Sequence, residues 1–325
     1  METKKTKMKW WNKTLIIIGS FFGGLFSLIL VVLLSLNIVK FSIYSDYYSI
    51  REIVCTNHGL NDNYVSQGTA ITNDGNYVIT SGYMKDKTAS RIYITNISNN
   101  TSHYVSFLKA DGKAAKYHFG GVAVSNDTIF LASNDSIFTV SLTEAMNNDE
   151  LTLNLLFEVN NSASFVFVDD TYIYVGEFYD GKQYVTENSV TYNNKTYNAI
   201  VEQYTLGSYT TPYAVYGIRD KVQGFAVSDK GDMLLSTSFG LTSSNFYYYK
   251  NTSVINTGET YLSAPLYVLE NEDLKLSGPA MSEDLDFLNG KFYTNFESAC
   301  NKYIFGKFFF NSDKIVALDF SGLIN

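Results

Sequence analysis

Eight polar side chains could form one binding or catalytic site, because each stands where a predicted strand starts or ends. Carboxylates can act as acids, bases or nucleophiles, and an imidazole can transfer protons near neutral pH. Amides and hydroxyls can hold a polar ligand in place. The candidate residues are Gln67, Ser81, His118, Glu177, Gln223, Ser238, Glu283 and Glu297.

Several of these residues have an equally simple structural interpretation. Gln67 and Gln223 could tie neighbouring strands together through backbone hydrogen bonds. Glu283 and Glu297 could be solvated rim residues, or could bind a cation, and His118 could be a buried structural histidine. The sequence therefore assigns no catalytic residue and leaves open whether the protein is an enzyme.

The elements that must position these side chains come from a phrase of small and alternating apolar residues, repeated five times. Each copy is followed by a turn and a second apolar strand, at a spacing near 50 residues. Such a repeat predicts an all-β fold, a five-bladed β-propeller, with six blades as the alternative. The copies begin at Gln67, Gly120, Ala163, Gln223 and Glu283.

The predicted blades place the candidate residues together. In a propeller, the starts of the innermost strands and the ends of the second strands surround the mouth of the central channel, where we expect all eight side chains. The fifth repeat lacks an outer strand, and segment 49–54 can supply it and remove the open sheet edge. For the fourth blade we expect Leu266–Leu269 as the outermost strand.

The first residues predict a membrane anchor. Leu15–Val39 contains no charged residue and is long enough to cross a bilayer. It is too long for a signal peptide and lacks a small-residue cleavage motif. Lysines before it place the N-terminus in the cytoplasm. The expected organisation is a cytoplasmic basic tail at 1–13, a transmembrane helix at 14–39, a linker at 40–48 and an extracellular propeller at 49–325, in a single-pass cell-membrane protein.

Charge and motif content exclude several classes of function. The chain has a formal charge of −8, and because residues 1–13 carry +4, the remainder carries −12. Such an acidic domain is a poor partner for nucleic acid. The sequence has no CxxC, HExxH, Gly-x-Ser-x-Gly or phosphate-loop motif, so we expect neither a metal site nor a cofactor.

Two cysteines allow one disulfide. Cys55 follows the proposed closing strand, and Cys300 follows the second strand of the same blade, so both are expected on one face. We expect a Cys55–Cys300 bridge, with two unrelated thiols as the alternative.

Several phrases resemble an uncharacterised family of secreted or membrane-anchored bacterial β-propeller proteins. The resemblance covers about 55–320 and implies a propeller outside the cytoplasm, with no assigned substrate. Asp284 stands where the family has glycine. The phrases are Gln67-Gly68, 118–123, 222–224, 236–240, 281–283 and 296–303.

These observations favour a membrane-anchored propeller that binds a polar small molecule, a glycan or a peptide at the channel mouth. One alternative is a glycosidase-like extracellular hydrolase that uses carboxylates at the same mouth. Against it, only Glu283 clearly belongs to an innermost strand, where five-bladed glycosidases carry their acids. The other alternative is a scaffold that recognises another surface protein.

Overall fold

The computed structural model describes residues 9–324, except for the side chains of Leu36 and Asn37. Two compact units divide the chain, one up to Ser45 and one from Asp46 onward. The lysines at 4, 5 and 7 of the expected basic tail lie outside the described residues.

Helix α1 (Trp10–Ile43) forms the first unit. It is 34 residues long, and its most apolar window has a mean hydropathy of 2.6 with no residue buried in protein. The helix exceeds the expected span of 14–39 at both ends. Its length and composition suffice to cross a membrane, and an N-terminal signal sequence would have the same properties.

The second unit is a five-bladed β-propeller, as the repeat predicts. It begins with the short helix α2 (Ser45–Ile50) and strand β1 (Arg51–Thr56). Blade one contains β2 (Tyr64–Ile71), β3 (Tyr77–Met84), β4 (Arg91–Asn96) and β5 (Ser102–Leu108). Blade two contains β6 (Gly121–Ser125), β7 (Thr128–Ser133), β8 (Ser136–Ser141) and, after helix α3 (Leu142–Asn147) and strand β9 (Glu150–Thr152), β10 (Asn154–Glu158).

The remaining blades follow the same antiparallel order. Blade three contains β11 (Phe165–Val168), β12 (Tyr172–Gly176), β15 (Ala199–Thr205) and β16 (Ala214–Ile218), with the hairpin β13 (Val190–Tyr192) and β14 (Lys195–Tyr197) between its middle strands. Blade four contains β17 (Val222–Val227), β18 (Met233–Thr237), β19 (Ser244–Tyr249) and β22 (Leu274–Gly278). Blade five contains β23 (Ser282–Leu288), β24 (Lys291–Phe296), β25 (Lys314–Leu318) and β1, with helix α4 (Ile304–Phe309) before β25.

Strand β1 completes blade five. It pairs antiparallel with β25, from Arg51 opposite Leu318 to Thr56 opposite Lys314. The strand begins two residues later than the expected segment 49–54, because α2 continues to Ile50. The first and last strands of the propeller therefore lie in one sheet, and the otherwise open edge of β25 is paired.

The expected disulfide is absent, and this part of the prediction is wrong. Cys55 and Cys300 are both buried free thiols. Cys55 packs against Val78 and Ile315, whereas Cys300 packs against Leu60 and Val65. A position on the same face of the propeller does not bring the two thiols together. The loop after β24 turns Cys300 toward Leu60 and Val65, whereas Cys55 lies in the outer strand β1.

The outer strand of blade four also differs from the prediction. Leu266–Val268 belongs to the hairpin of β20 (Ile255–Tyr261) and β21 (Ala264–Val268), which is inserted before β22. Strand β21 pairs parallel with β16, so this hairpin extends blade three. Its apolar face joins a cluster with Ile200 and Val215. Alternating apolar residues predicted a strand here, but they could not specify which blade it would join.

Candidate functional site

Backbone bulges position three of the candidate side chains. The pairing of β2 with β3 shifts between Ser66 and Thr69, and β17 and β23 have shifts at Gln223 and after Ser282. A bulge leaves residues unpaired and redirects their side chains. The bulges therefore change the directions in which the side chains of Gln67, Gln223 and Glu283 point.

Glu283, in β23, and Glu297, directly after β24, are neighbouring carboxyl groups whose electrostatic environments depend on each other. Glu283 is 2 % exposed, and its Oε1 has no hydrogen-bond partner among the described residues. Burial, followed by the charge of Glu297, raises the pKa of Glu283 well above its ordinary value. Burial raises the pKa of Glu297 to about 7. Because a second negative charge beside the first is unfavourable, the pair favours a protonated form.

Gln67 links this pair to His118. Its Nε2 donates to Glu297 Oε2 at 2.8 Å, and its Oε1 lies 2.8 Å from His118 Nε2. With that amide orientation, His118 Nε2 carries the hydrogen and donates, which leaves Nδ1 as an acceptor. Although His118 is an exposed residue, desolvation of its imidazole, together with the charge of Lys302, lowers its pKa. His118 is therefore neutral at pH 7.

Lys302 and two tyrosines complete the cluster. Lys302 Nζ donates to the Tyr83 hydroxyl and lies 4.9 Å from the ring centres of both Tyr83 and Tyr303. Tyr83 also packs against His118, with ring centres 4.3 Å apart. The loop after β24 carries Lys302 and Tyr303, and Asn301 N donates to Leu60 O, which fixes this loop to blade one. We call Gln67, Tyr83, His118, Glu283, Glu297, Lys302 and Tyr303 the mouth cluster.

Asp284 occupies the propeller axis. It is fully buried, and its Oδ2 accepts a hydrogen bond of 3.1 Å from Val122 N in blade two, although Asp284 itself belongs to blade five. The equivalent positions of blades one, two and four are Gly68, Gly121 and Gly224. Burial raises the pKa of Asp284 well above its ordinary value. Asp284 thus places one carboxyl group where blades one, two and four have no side chain and blade three has Ser164.

Asp286 joins blades five and one. Its Oδ2 accepts from Ile71 N at 2.6 Å, and its Oδ1 accepts from Phe287 N at 2.8 Å. Burial raises its pKa to about 7. Both oxygens are used by the backbone, so this carboxyl group is structural.

Glu177 has a separate, structural environment. Its Oε1 accepts from Ile200 N at 3.1 Å and its Oε2 from Asn188 Nδ2 at 3.2 Å, and the side chain is 1 % exposed. Burial raises its pKa to about 7. These contacts secure the long loop of blade three to β15.

The other three candidates do not join the mouth cluster. Ser81 donates to Phe119 O at 3.2 Å and is fully buried, so it links blades one and two. Gln223 is half-buried at the start of β17, and its side chain makes no hydrogen bond to the described residues. Ser238 lines a separate cleft between blades three and four.

The sequence prediction brought four residues of the mouth cluster together and omitted Tyr83, Lys302 and Tyr303. Tyr83 could have been found, because it lies two residues after Ser81 and shares its side of β3. Lys302 and Tyr303 are in a loop whose path no periodicity specifies. Among the described residues, no group of three or more His, Cys, Asp and Glu side chains is placed to hold a metal ion.

Comparison with solved structures gives β-propellers of low sequence identity. The PQQ-bound aldose sugar dehydrogenase of Streptomyces coelicolor is 14% identical, with 75% of this chain and 76% of that chain covered and a TM-score of 0.42. The calcium-binding protein regucalcin of Agrobacterium tumefaciens is 8% identical, with 80% and 92% covered and a TM-score of 0.41. A putative oxidoreductase (glucose dehydrogenase) of Thermus thermophilus is 13% identical, with 76% and 78% covered and a TM-score of 0.41.

No protein-family model matches the sequence, and no curated protein matches it either. The propeller class is therefore established by the strand pairing itself, and function has to be argued from the side chains.

Proposed function

We propose that the protein binds an uncharged polar ligand, such as a neutral sugar or a peptide amide, at the mouth cluster. The observation that carries the proposal is the buried Glu283 Oε1, which has no partner among the described residues. Leaving such an atom unpaired costs about 1–3 kcal/mol, so a ligand that supplied a hydrogen bond would gain this energy.

The protonation of the cluster determines which ligand suits it. A carboxyl pair that holds one proton carries a single negative charge, and together with the neutral imidazole it offers both donors and acceptors. Lys302 and the tyrosine rings lie beside the carboxyl pair, where an amphipathic ligand can pack against an aromatic face. The hydroxyl and amide groups of a ligand meet these requirements better than a ligand carboxylate does.

The same geometry argues against glycosidase chemistry at this pair. Retaining glycosidases hold their two carboxyl groups about 5–5.5 Å apart, and inverting enzymes hold them further apart, with the sugar between them. Glu283 and Glu297 act on each other directly within one cluster, which differs from two carboxyl groups that have a sugar between them. Binding is therefore the function we propose.

The test is a binding screen of neutral glycans, peptides and metabolites with the full-length chain in detergent. We expect the screen to identify a ligand whose binding is lost in both Glu283→Gln and Glu297→Gln. A glutamine amide cannot hold the proton that the carboxyl pair favours, so each substitution changes the donors and acceptors offered to the ligand. Glu158→Gln, at an exposed position of β10, is the control. A ligand that binds all variants equally well would contradict a role for the mouth cluster.

We further propose that α1 remains as a membrane anchor, with the propeller on the extracellular side. Support comes from its uncharged segment 15–39, whose most apolar window has no residue buried in protein, and from the lysines before that segment. A polar ligand in the medium would then reach the mouth cluster directly.

A further inference from the structure

A second cleft lies between blades three and four, on the same end of the propeller as the mouth. It has a volume of 510 Å³, within the range of small-molecule sites. Its walls come from the β13–β14 hairpin, the β16–β17 connection and the β18–β19 loop. We infer that this cleft binds a short acidic oligosaccharide through the carboxylates of uronic acid units.

Positive charge is concentrated in this cleft. Lys195, Arg219 and Lys221 line it, with Asp220 as the single lining carboxylate. Among the described residues, neither Lys195 nor Lys221 forms an ion pair. The residues after position 13 carry a formal charge of −12, so a cationic cleft is opposite in sign to its surroundings. Both lysines lie over aromatic rings, and an anionic ligand would supply each with an ion-pair partner.

Arg219 is held in a fixed orientation. Its Nε and Nη2 donate to the Tyr249 hydroxyl at 3.1 and 2.8 Å, and Nη2 also donates to Glu272 Oε2 at 2.7 Å. The guanidinium carbon lies 3.3 Å from the centre of the Tyr247 ring. Nη1 makes no hydrogen bond to the described residues. A guanidinium immobilised in this way loses little entropy when it binds a carboxylate.

The remaining lining suits a sugar ring. Phe239 is 43% exposed and offers aromatic surface for the apolar face of a pyranose. Asn245 adds an amide group for sugar hydroxyls, and the exposed Thr242 adds a hydroxyl. Cations alone would suit any anion, whereas cations beside aromatic rings and hydroxyls favour an acidic carbohydrate.

The probe is a linear trimer of galacturonic acid, and the control ligand is the neutral galactose trimer, both titrated calorimetrically into the full-length chain in detergent. We expect the acidic trimer alone to bind, with an affinity that falls as salt rises. Lys195→Gln and Lys221→Gln, both at exposed positions, should each weaken binding, and Arg219→Lys should weaken it roughly tenfold by removing the planar fork.

Lys109→Gln is the matched control, since it removes one exposed lysine that packs on Tyr117 in another part of the propeller. Equal binding of both trimers would overturn the inference. So would failure of the acidic trimer to bind below about 1 mM, or variants no weaker than Lys109→Gln. The mouth-cluster variants should not affect this binding, so the two proposals can fail separately.

Discussion

At the scale of single residues, buried carboxyl groups determine the chemistry of the propeller axis. Strand β23 contains three carboxyl residues that are each less than a tenth exposed: Glu283, Asp284 and Asp286. Removal from water favours the neutral form, which raises the pKa of all three. A protein with these groups should respond to pH in the opposite sense to one stabilised by surface ion pairs.

We predict that the free energy of unfolding falls as pH rises from about 4 to about 7. The folded pKa of Asp286 is about 7, against an ordinary value of 3.8, so the folded state holds a proton that the unfolded state has released. One such group contributes a slope of about 1.4 kcal/mol per pH unit within that window. Glu177 acts in the same direction.

Asp286→Asn should reduce this slope by about 1.4 kcal/mol per pH unit, whatever its effect on absolute stability. The measurement is denaturant unfolding at pH 5, 6, 7 and 8, followed by near-ultraviolet circular dichroism. Asp170→Asn, at an exposed turn, is the control. An unchanged slope in Asp286→Asn would show that the proton is held elsewhere.

At the scale of elements, glycines in the repeated phrase let the inner strands approach one another. A Cβ on Gly224 would lie 2.6 Å from Asp284 Cα, and one on Gly121 would lie 2.4 Å from Val166 N. These contacts are with backbone atoms of the next inner strand, which cannot rotate away. The small residues of the repeat are therefore needed for blade contact as well as for strand formation.

Gly224→Ala should accordingly destabilise the propeller by about 1–3 kcal/mol, because β17 and β23 would have to separate. The change in melting temperature, measured by calorimetry, tests this. Gly322→Ala is a matched control, as a Cβ there meets no atom within 4 Å. A melting temperature equal to that of the control would mean that the inner strands can shift without cost.

At the scale of the whole molecule, no covalent bond closes the ring, since both cysteines are free. Closure depends on the backbone pairing of β1 with β25 and on contacts such as Tyr47, which stacks on Phe246 with ring centres 6.2 Å apart. Strand β1, which closes the propeller, follows α1 and the short helix α2 in sequence.

We predict that α1 is retained in the mature protein. An epitope tag at the N-terminus should stay attached and remain with membranes after alkaline carbonate washing, because a continuous apolar helix of this length is not extracted with peripheral proteins. Protease added outside intact cells should digest the propeller and leave the tag protected. A tag separated from the propeller would identify α1 as a cleaved signal sequence.

The sequence by itself determined the local pattern. Alternating apolar residues and turn residues indicate strands. The five copies of the repeated phrase predict five blades, and the missing outer strand of the fifth repeat predicts a closing strand from the N-terminal side. Four members of the mouth cluster also followed, because each lies at a strand end whose place in a propeller is fixed. These features depend on neighbours in sequence, which the sequence displays directly.

Only the tertiary structure decided the rest. Pairing of β21 with β16, the separation of Cys55 from Cys300 and the approach of Lys302 to Tyr83 all depend on where long loops pass in space. Likewise, Glu177 and Glu283 are both acidic residues at strand ends, yet one binds backbone and the other retains an unpaired oxygen. Burial and hydrogen bonding differ at the two places because contacts distant in sequence set them.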